Sequence, residues 1–243
     1  MIRLKVWMLL VVFVVLGVAV SVGPACSATI DVDGDAYVAV ESMYLWRGFD
    51  LSPDSDFVVS GGVDLSTHGF TLSYWVNWDE KANKVNETDI GLDYSWDVNE
   101  MFSMSVGDVL YAVDSAEDTH ELYVAVTANT LLSPTLTAYW DWDEAEEEGL
   151  FYTLDLSQDV ALGDTLALLL GGQVSYNQHS DFSVGDYSAF HNAELSVALD
   201  WAVHEQISVT PLVRFSTPLS DEADDIAEID DEIYTGISVL LSF

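Results

Sequence analysis

The sequence predicts an all-β chain: a transmembrane, antiparallel, up-and-down β-barrel of about twelve strands, preceded by an N-terminal signal peptide. Three observations predict it. The chain ends on a strand of strict two-residue alternation, with Ile233, Thr235, Ile237, Val239, Leu241 and Phe243 on one face. The opposite face carries Tyr234, Gly236, Ser238, Leu240 and Ser242. A secretory-type leader opens the chain. Between the two, mean hydropathy is positive at +0.22 although the chain holds 42 acidic residues. Apolar and acidic side chains must then be finely interleaved, as when alternate residues face lipid and water. A closed barrel is the only β-structure that spans a bilayer without orphaned backbone groups.

The leader reads in order. Arg3 and Lys5 precede an apolar run from Trp7 to Val20, and small residues follow from Ser21 to Ala28. The run is short for a spanning helix, which needs about 20 apolar residues. Residues 1–28 are therefore expected to be a signal peptide cleaved after Ala28, leaving 29–243 as one barrel domain. Cys26 offers lipidation as an alternative, to which Gly23-Pro24-Ala25 is a poor approach. With cleavage after Ala28 the mature chain has no cysteine and no disulfide to lean on.

Parity then places the strands. Segments of alternating character run over 36–47, 57–66, 70–79, 88–96, 101–113 and 121–128. They continue over 135–142, 150–157, 165–176, 189–201, 206–217 and 233–243. The clearest is 70–79, whose even face is Phe70, Leu72, Tyr74, Val76 and Trp78. The rows Leu122/Val124/Val126, Leu136/Ala138/Trp140, Leu150/Tyr152/Leu154 and Leu195/Val197/Leu199/Trp201 repeat it. Short turns, such as 67–69, 97–100 and 202–205, alternate with longer acidic loops, such as 48–56, 177–188 and 218–232. That asymmetry is the pattern of an outer-membrane barrel, with periplasmic turns and external loops. Two segments resist. The apolar face changes parity at Gly107-Asp108, which a β-bulge would explain. Pro211 sits inside a strand although it cannot donate a ladder hydrogen bond.

Aromatic residues fall near both ends of the segments. Tyr44, Trp46, Phe57, Trp78, Trp140, Trp142, Tyr152, Tyr176 and Phe215 are expected at the external end, and Phe70, Tyr94, Trp96, Phe102, Trp201 and Phe243 at the periplasmic end. Two girdles suit rings that are apolar in body and polar at the tip. A soluble sandwich or lipocalin-like barrel is the competing fold, but its core would have to bury more large residues than one face can enclose.

Removal of the leader leaves four basic residues against the 42 acidic ones. Nucleic acid is excluded as a partner, since phosphate binding requires Lys and Arg. Such a field concentrates small cations and repels anions; a saline habitat accounts for the acidity equally well. The expected partners are outer-membrane lipid, lipopolysaccharide and small hydrophilic solutes. The faces opposite the apolar ones are rich in Ser, Thr, Gly and Asp. About eight strands fill their own interior and diameter grows with strand number, so twelve should hold a narrow aqueous pore.

Arg47 and Arg214 fall on the inner face, near the external ends of the first and eleventh segments. The closing strand lies between those two in a barrel, so the arginines are expected roughly 10 Å apart, two strand spacings of about 4.8 Å. Asp79, Asp89, Glu121, Asp141 and Asp155 face them across the lumen. Opposed charges at a constriction create a transverse field, and carboxylate rings favour cations. The alternative is that each arginine ties the wall to a loop through one carboxylate.

Acidic loops at 143–148 and 221–232 raise a second function, a structural or surface barrel whose loops bind divalent cations or envelope lipid. Asp31-Val32-Asp33-Gly34-Asp35 opens like a calcium loop, but Ala36 and Ser42 stand where glycine and glutamate are required. No cofactor and no enzymatic activity are expected. His68 and His204 fall in turns, His120 and His179 lie near Asp118 and Asp181 at external loops, and His191 has lipid-facing parity. No serine lies in a nucleophile context.

The segment Ser42-Met43-Tyr44-Leu45-Trp46-Arg47-Gly48-Phe49-Asp50-Leu51-Ser52 resembles the opening of the TorF-type porin family of small bacterial outer-membrane proteins, in which Ser-x-Tyr-x-x-Arg-Gly precedes a short polar loop. Gly61-Gly62-Val63-Asp64 and His68-Gly69-Phe70 are similar in style to the family's next strands. The resemblance covers roughly residues 37–79. It implies a porin-like barrel of undefined substrate and assigns no catalytic residue.

Overall fold

Backbone pairing closes on itself. In the computed structural model, which describes residues 31–114, 116–145 and 149–243, twelve antiparallel strands form one closed barrel within Val32–Phe243. The expected signal peptide, Cys26 and residues 146–148 of one acidic loop lie outside the described residues.

The strands are β1 (Asp33–Glu41), β4 (Val58–Thr67), β5 (Phe70–Asp79), β6 (Lys84–Asn99), β7 (Phe102–Val113) and β8 (Thr119–Ala128). The ring continues with β9 (Thr135–Asp141), β10 (Leu150–Ala161), β11 (Leu166–Gln178), β12 (Ser188–His204), β13 (Ile207–Pro218) and β14 (Glu232–Ser242). Two short strands, β2 (Leu45–Trp46) and β3 (Phe49–Asp50), form a separate hairpin, and a single-turn helix α1 spans Asp221–Asp225. Each barrel strand pairs with its sequence neighbour, and β1 pairs with β14 from Asp35↔Ser242 to Glu41↔Gly236. The seam is completed by Phe243, whose N–H donates to Gly34 O and whose carbonyl accepts from Gly34 N–H, both at 2.8 Å.

Burial is inverted relative to a soluble protein. Phe70, Leu72, Tyr74, Leu195, Ile233, Ile237 and Val239 are exposed on the outer face, whereas Ser60, Asn77, Glu87, Thr137, Asp141, Thr153 and Ser216 are buried within. This arrangement is stable only where the outside is hydrocarbon. Rings gather at both rims. Phe70, Tyr94 and Trp96 adjoin at the short-turn end, and Phe57–Trp78 and Tyr152–Tyr176–Phe190 at the long-loop end. The chain is a transmembrane barrel of the outer-membrane type.

Three local expectations change, and the strand expected to run through Pro211 is present. The first strand stops at Glu41 rather than continuing to residue 47, and the chain turns inward. Tyr44 and Trp46 therefore leave the external girdle. Their rings meet Trp75 and Tyr111 inside the barrel, at 5.3 and 6.2 Å.

No bulge occurs at Gly107-Asp108, because β7 keeps register with β6 from Ser103 to Val113 and with β8 from Phe102 to Tyr111. Tyr111 consequently points inward. Asp108 lies on the outer row between Leu92 and Leu122, where its carboxylate accepts from Trp142 Nε1–H and pairs with His120 Nδ1, each at 2.8 Å. Gly107 faces the lumen, and the Tyr123 ring lies so close that a Cβ there would approach it to 2.5 Å.

His191 also turns inward. The β11–β12 ladder shifts between Val174 and Tyr176, so His191 and Asn192 oppose Ser175 together. Such a bulge changes parity, and both residues are fully buried while Phe190 stays exposed.

Pro211 is accommodated by a gap. The β12–β13 ladder lacks rungs between Ala198↔Leu212 and Trp201↔Val209, and Thr210 Oγ1 donates to Asp200 Oδ1 at 2.9 Å across it.

Candidate functional site: the plugged lumen

Between Trp46 and Phe49 the chain reverses in two residues, Arg47 at φ 50° and Gly48 at φ 84°. Positive φ at both centres is the two-residue turn that matches strand twist. Gly48 meets the second position without strain, and a Cβ there would come within 3.0 Å of Ile229 Cδ1.

The turn carries Arg47 across the barrel. Its guanidinium binds Glu121 on β8 in a fork, Nη1 to Oε1 at 2.8 Å and Nη2 to Oε2 at 2.7 Å. Nη1 also donates to Ser183 Oγ at 3.1 Å. Rings of Trp46, Phe151 and Tyr139 lie 4.4, 4.3 and 5.0 Å from the cation. Tyr139 is on β9, which is six strands from β1 in either direction round the ring. The hairpin therefore spans the lumen. Burial works against the charge of Arg47, but the Glu121 carboxylate overcomes it and holds the pKa above its ordinary value. The Arg47 carbonyl pairs with His191 Nε2 at 2.6 Å, while His191 Nδ1 meets the Tyr187 hydroxyl.

Two further loops close over the hairpin. Val184 and Tyr187, between β11 and β12, pack with Ala223, Ala227 and Ile229, between β13 and β14, and with Phe151 and Phe49. Ser220 caps α1 by accepting the Ala223 N–H at 3.1 Å, and Asp221, Glu222 and Asp224 in its first turn suit the positive end of the helix. Apart from Phe151 on β10, the buried members of this apolar cluster come from loops, so the barrel's core sits at its mouth.

Sequence parity and geometry agree for the wall and part at Arg47. Asp79, Asp89, Glu121, Asp141, Asp155 and Arg214 lie on the inner face of β5, β6, β8, β9, β10 and β13. Arg47 does not join Arg214 on the strand-one side; it faces β8 to β10 from the hairpin, while Arg214 pairs with Glu194 at 3.4 Å beside the Tyr234 ring. A strand read six residues too far, to 47 rather than Glu41, and a loop that folds inward exchange one wall for the other. Most of the acids are occupied. Asp79 accepts from Ser55 Oγ and Ala82 N–H, Asp141 from Thr119 Oγ1, and Asp155 from Gln173 Nε2 and Thr153 Oγ1. Asp89 differs, because its buried Oδ1 has no hydrogen-bond partner among the described residues.

Two cavities flank the hairpin. One, of about 430 Å³, opens toward the long loops and is lined by Phe49, Glu87, Glu121 and Phe182. The other, of about 370 Å³, lies deeper and is lined by Tyr44, Trp75, Asp89, Asp93 and Tyr123. Trp46 and Tyr111 line both. Tyr44 hydrogen-bonds Glu87, and burial together with the nearby Glu87 and Asp89 charges raises its pKa, so the hydroxyl stays protonated.

Histidine partners differ from those nearest in sequence. His120 pairs with Asp108 and His179 with Asp186, rather than with Asp118 and Asp181. Among the described residues no three His, Cys, Asp or Glu side chains group to hold a metal ion. The inward hairpin and the residues beneath it, Tyr44 and Glu87, escape sequence reading, whereas Asn77 follows the inner-face parity of its strand. The Arg-Gly pair within an alternating run was the available signal.

No family model matches the chain, and no curated protein matches it. Solved structures do. The NanC porin aligns over 88% of this chain and 100% of its own at 10% identity, TM-score 0.56. The KdgM porin aligns over 87% and 99% at 15% identity, TM-score 0.54, and a KdgM porin in complex with disordered oligogalacturonate gives 14% identity, TM-score 0.53. Likeness at such identity is likeness of fold: this chain has the closed-barrel architecture of outer-membrane porins.

Proposed function

We propose that the protein is a porin-like outer-membrane channel for passive diffusion of small hydrophilic solutes, cationic or neutral, through an acidic lumen narrowed by the Arg47 hairpin. The observation that carries this reading is a polar inner wall enclosing two cavities on either side of one loop. A filled or purely structural barrel has no use for that space. On this reading residues 1–28 are the signal peptide and the long loops face outward. The TorF-type resemblance belongs to the same proposal, since its Ser-x-Tyr-x-x-Arg-Gly segment, within 42–52, includes the hairpin turn.

Arg47, Arg214, Asp79, Asp89, Glu121, Asp141 and Asp155 are proposed as its pore-lining and constriction residues. Oligogalacturonate, present with one KdgM structure, is a polyanion. Here both lumen arginines are paired with carboxylates, so repulsion by the acidic wall argues against such a solute. No catalytic role is proposed, because His191 meets a tyrosine hydroxyl and a carbonyl rather than a nucleophile.

Planar-bilayer recording of refolded protein under a potassium chloride gradient tests the reading. A reversal potential on the potassium side is expected; equal permeability of potassium and chloride would count against the acidic-lumen mechanism. The second reading, a surface barrel with a shut lumen whose acidic loops bind cations or envelope lipid, is favoured by the apolar loop cluster. Absence of any conductance would decide for it.

A further inference from the structure

Glu87 and Asp89 occupy adjacent inward positions of β6, Glu87 lining the upper cavity and Asp89 the lower. They stand at the neck between the two. Glu87 is 6% exposed, and buried carboxylates demand compensation. Among the described residues no lysine or arginine provides it: Arg47 is paired with Glu121, Lys84 with Asp114 and Arg214 with Glu194, and Lys81 is exposed in the turn between β5 and β6.

A second observation points to a ligand. Asn77, the register partner of Glu87 on β5, is fully buried, and its Oδ1 has no hydrogen-bond partner. Its Nδ2 donates to Asn86 Oδ1 at 2.8 Å, which fixes the amide with its oxygen away from that contact. Asp89 Oδ1 is the other unpartnered buried oxygen. Two orphan oxygens on one inner face, beside a buried carboxylate that the Tyr44 hydroxyl meets and with no cation among their neighbours, form an acceptor set short of donors.

We propose that Asn77 Oδ1, Glu87 and Asp89, covered by the Tyr44 hydroxyl, bind one divalent cation at the neck of the lumen. The donors are hard oxygens, suited to calcium, with water completing the shell. A divalent ion neutralises both carboxylates at once, whereas potassium leaves one charge buried. The inference deepens the channel reading and rests on it: cations crossing the pore would pause at this site.

Terbium is the probe, because Trp75 is the register partner of Asp89 and can sensitise its emission. Folded full-length protein in detergent is titrated with terbium and excited at the tryptophan band, then back-titrated with calcium. Saturable emission displaced by calcium is expected, abolished in Glu87→Gln/Asp89→Asn and weakened roughly tenfold in Asn77→Ala, as for loss of one buried polar contact. Unchanged emission in the double variant would place the metal on the acidic loops and overturn the site. Absence of sensitised emission in a protein that still conducts would also overturn it, leaving protons to neutralise the pair. Because binding is read without conductance, failure of this site and failure of the channel reading are separable. In bilayers, micromolar calcium should reduce potassium current in the wild type and leave the double variant unaffected.

Discussion

Replacing Arg47 by alanine removes the group that holds the hairpin across the lumen. Glu121 is 1% exposed and Arg47 8% exposed, and the pair is joined by two hydrogen bonds at 2.7 and 2.8 Å. Breaking a buried pair from one side leaves an uncompensated charge and costs about 3–5 kcal/mol. At 1.4 kcal/mol per decade, the equilibrium between seated and released hairpin shifts by about two to four orders of magnitude. Single-channel recording should show longer or larger openings in Arg47→Ala. A control separates charge from bulk. Arg47→Met/Glu121→Leu replaces the pair by apolar groups of similar volume and should keep the hairpin seated, since such exchanges are often neutral. If Arg47→Ala conducts as the wild type does, with the same open probability, the hairpin is not a plug held by this pair.

Other outcomes follow from the same geometry. Gly48→Ala forces a Cβ onto a residue at φ 84° and against Ile229, and should weaken hairpin seating by about 1 kcal/mol, seen as faster hydrogen exchange in residues 42–57 with barrel exchange unchanged. Leu72→Arg, on the exposed outer row, should lower unfolding stability in lipid vesicles by about 2–4 kcal/mol at mid-bilayer depth. Its neighbour Ser73→Arg, which lines the lower cavity, should leave stability near wild type and reduce the preference for potassium over chloride. Equal destabilisation by both would refute the assignment of faces.

Much of this was legible from residue order. The two-residue period survives translation into structure because strand side chains alternate whatever the strand packs against. Hence the closing strand to Phe243, most of the alternation of short turns with long loops (the loop read over 80–87 is a turn at 80–83), and the inward placement of Asp79, Asp89, Glu121, Asp141, Asp155 and Arg214 were readable in advance. What period two does not reveal is the material that covers an apolar row. Tyr44 and Trp46 alternate as lipid-facing residues do, yet they cover Trp75 and Tyr111 inside the barrel. Nor does it report register: one extra residue opposite Ser175 turns His191 inward, and its absence at Gly107 leaves Asp108 on the outer row.

By itself, then, the order of residues determined that the chain closes into a cylinder greasy outside and polar within, because orphaned backbone groups and buried apolar area permit no other arrangement of these alternating segments. Tertiary structure alone decided what fills the cylinder. A positive-φ turn swings Arg47 to the far wall, where Glu121, 74 positions along the chain and one lumen away from any local signal, supplies the opposite charge that only a closed barrel brings within reach.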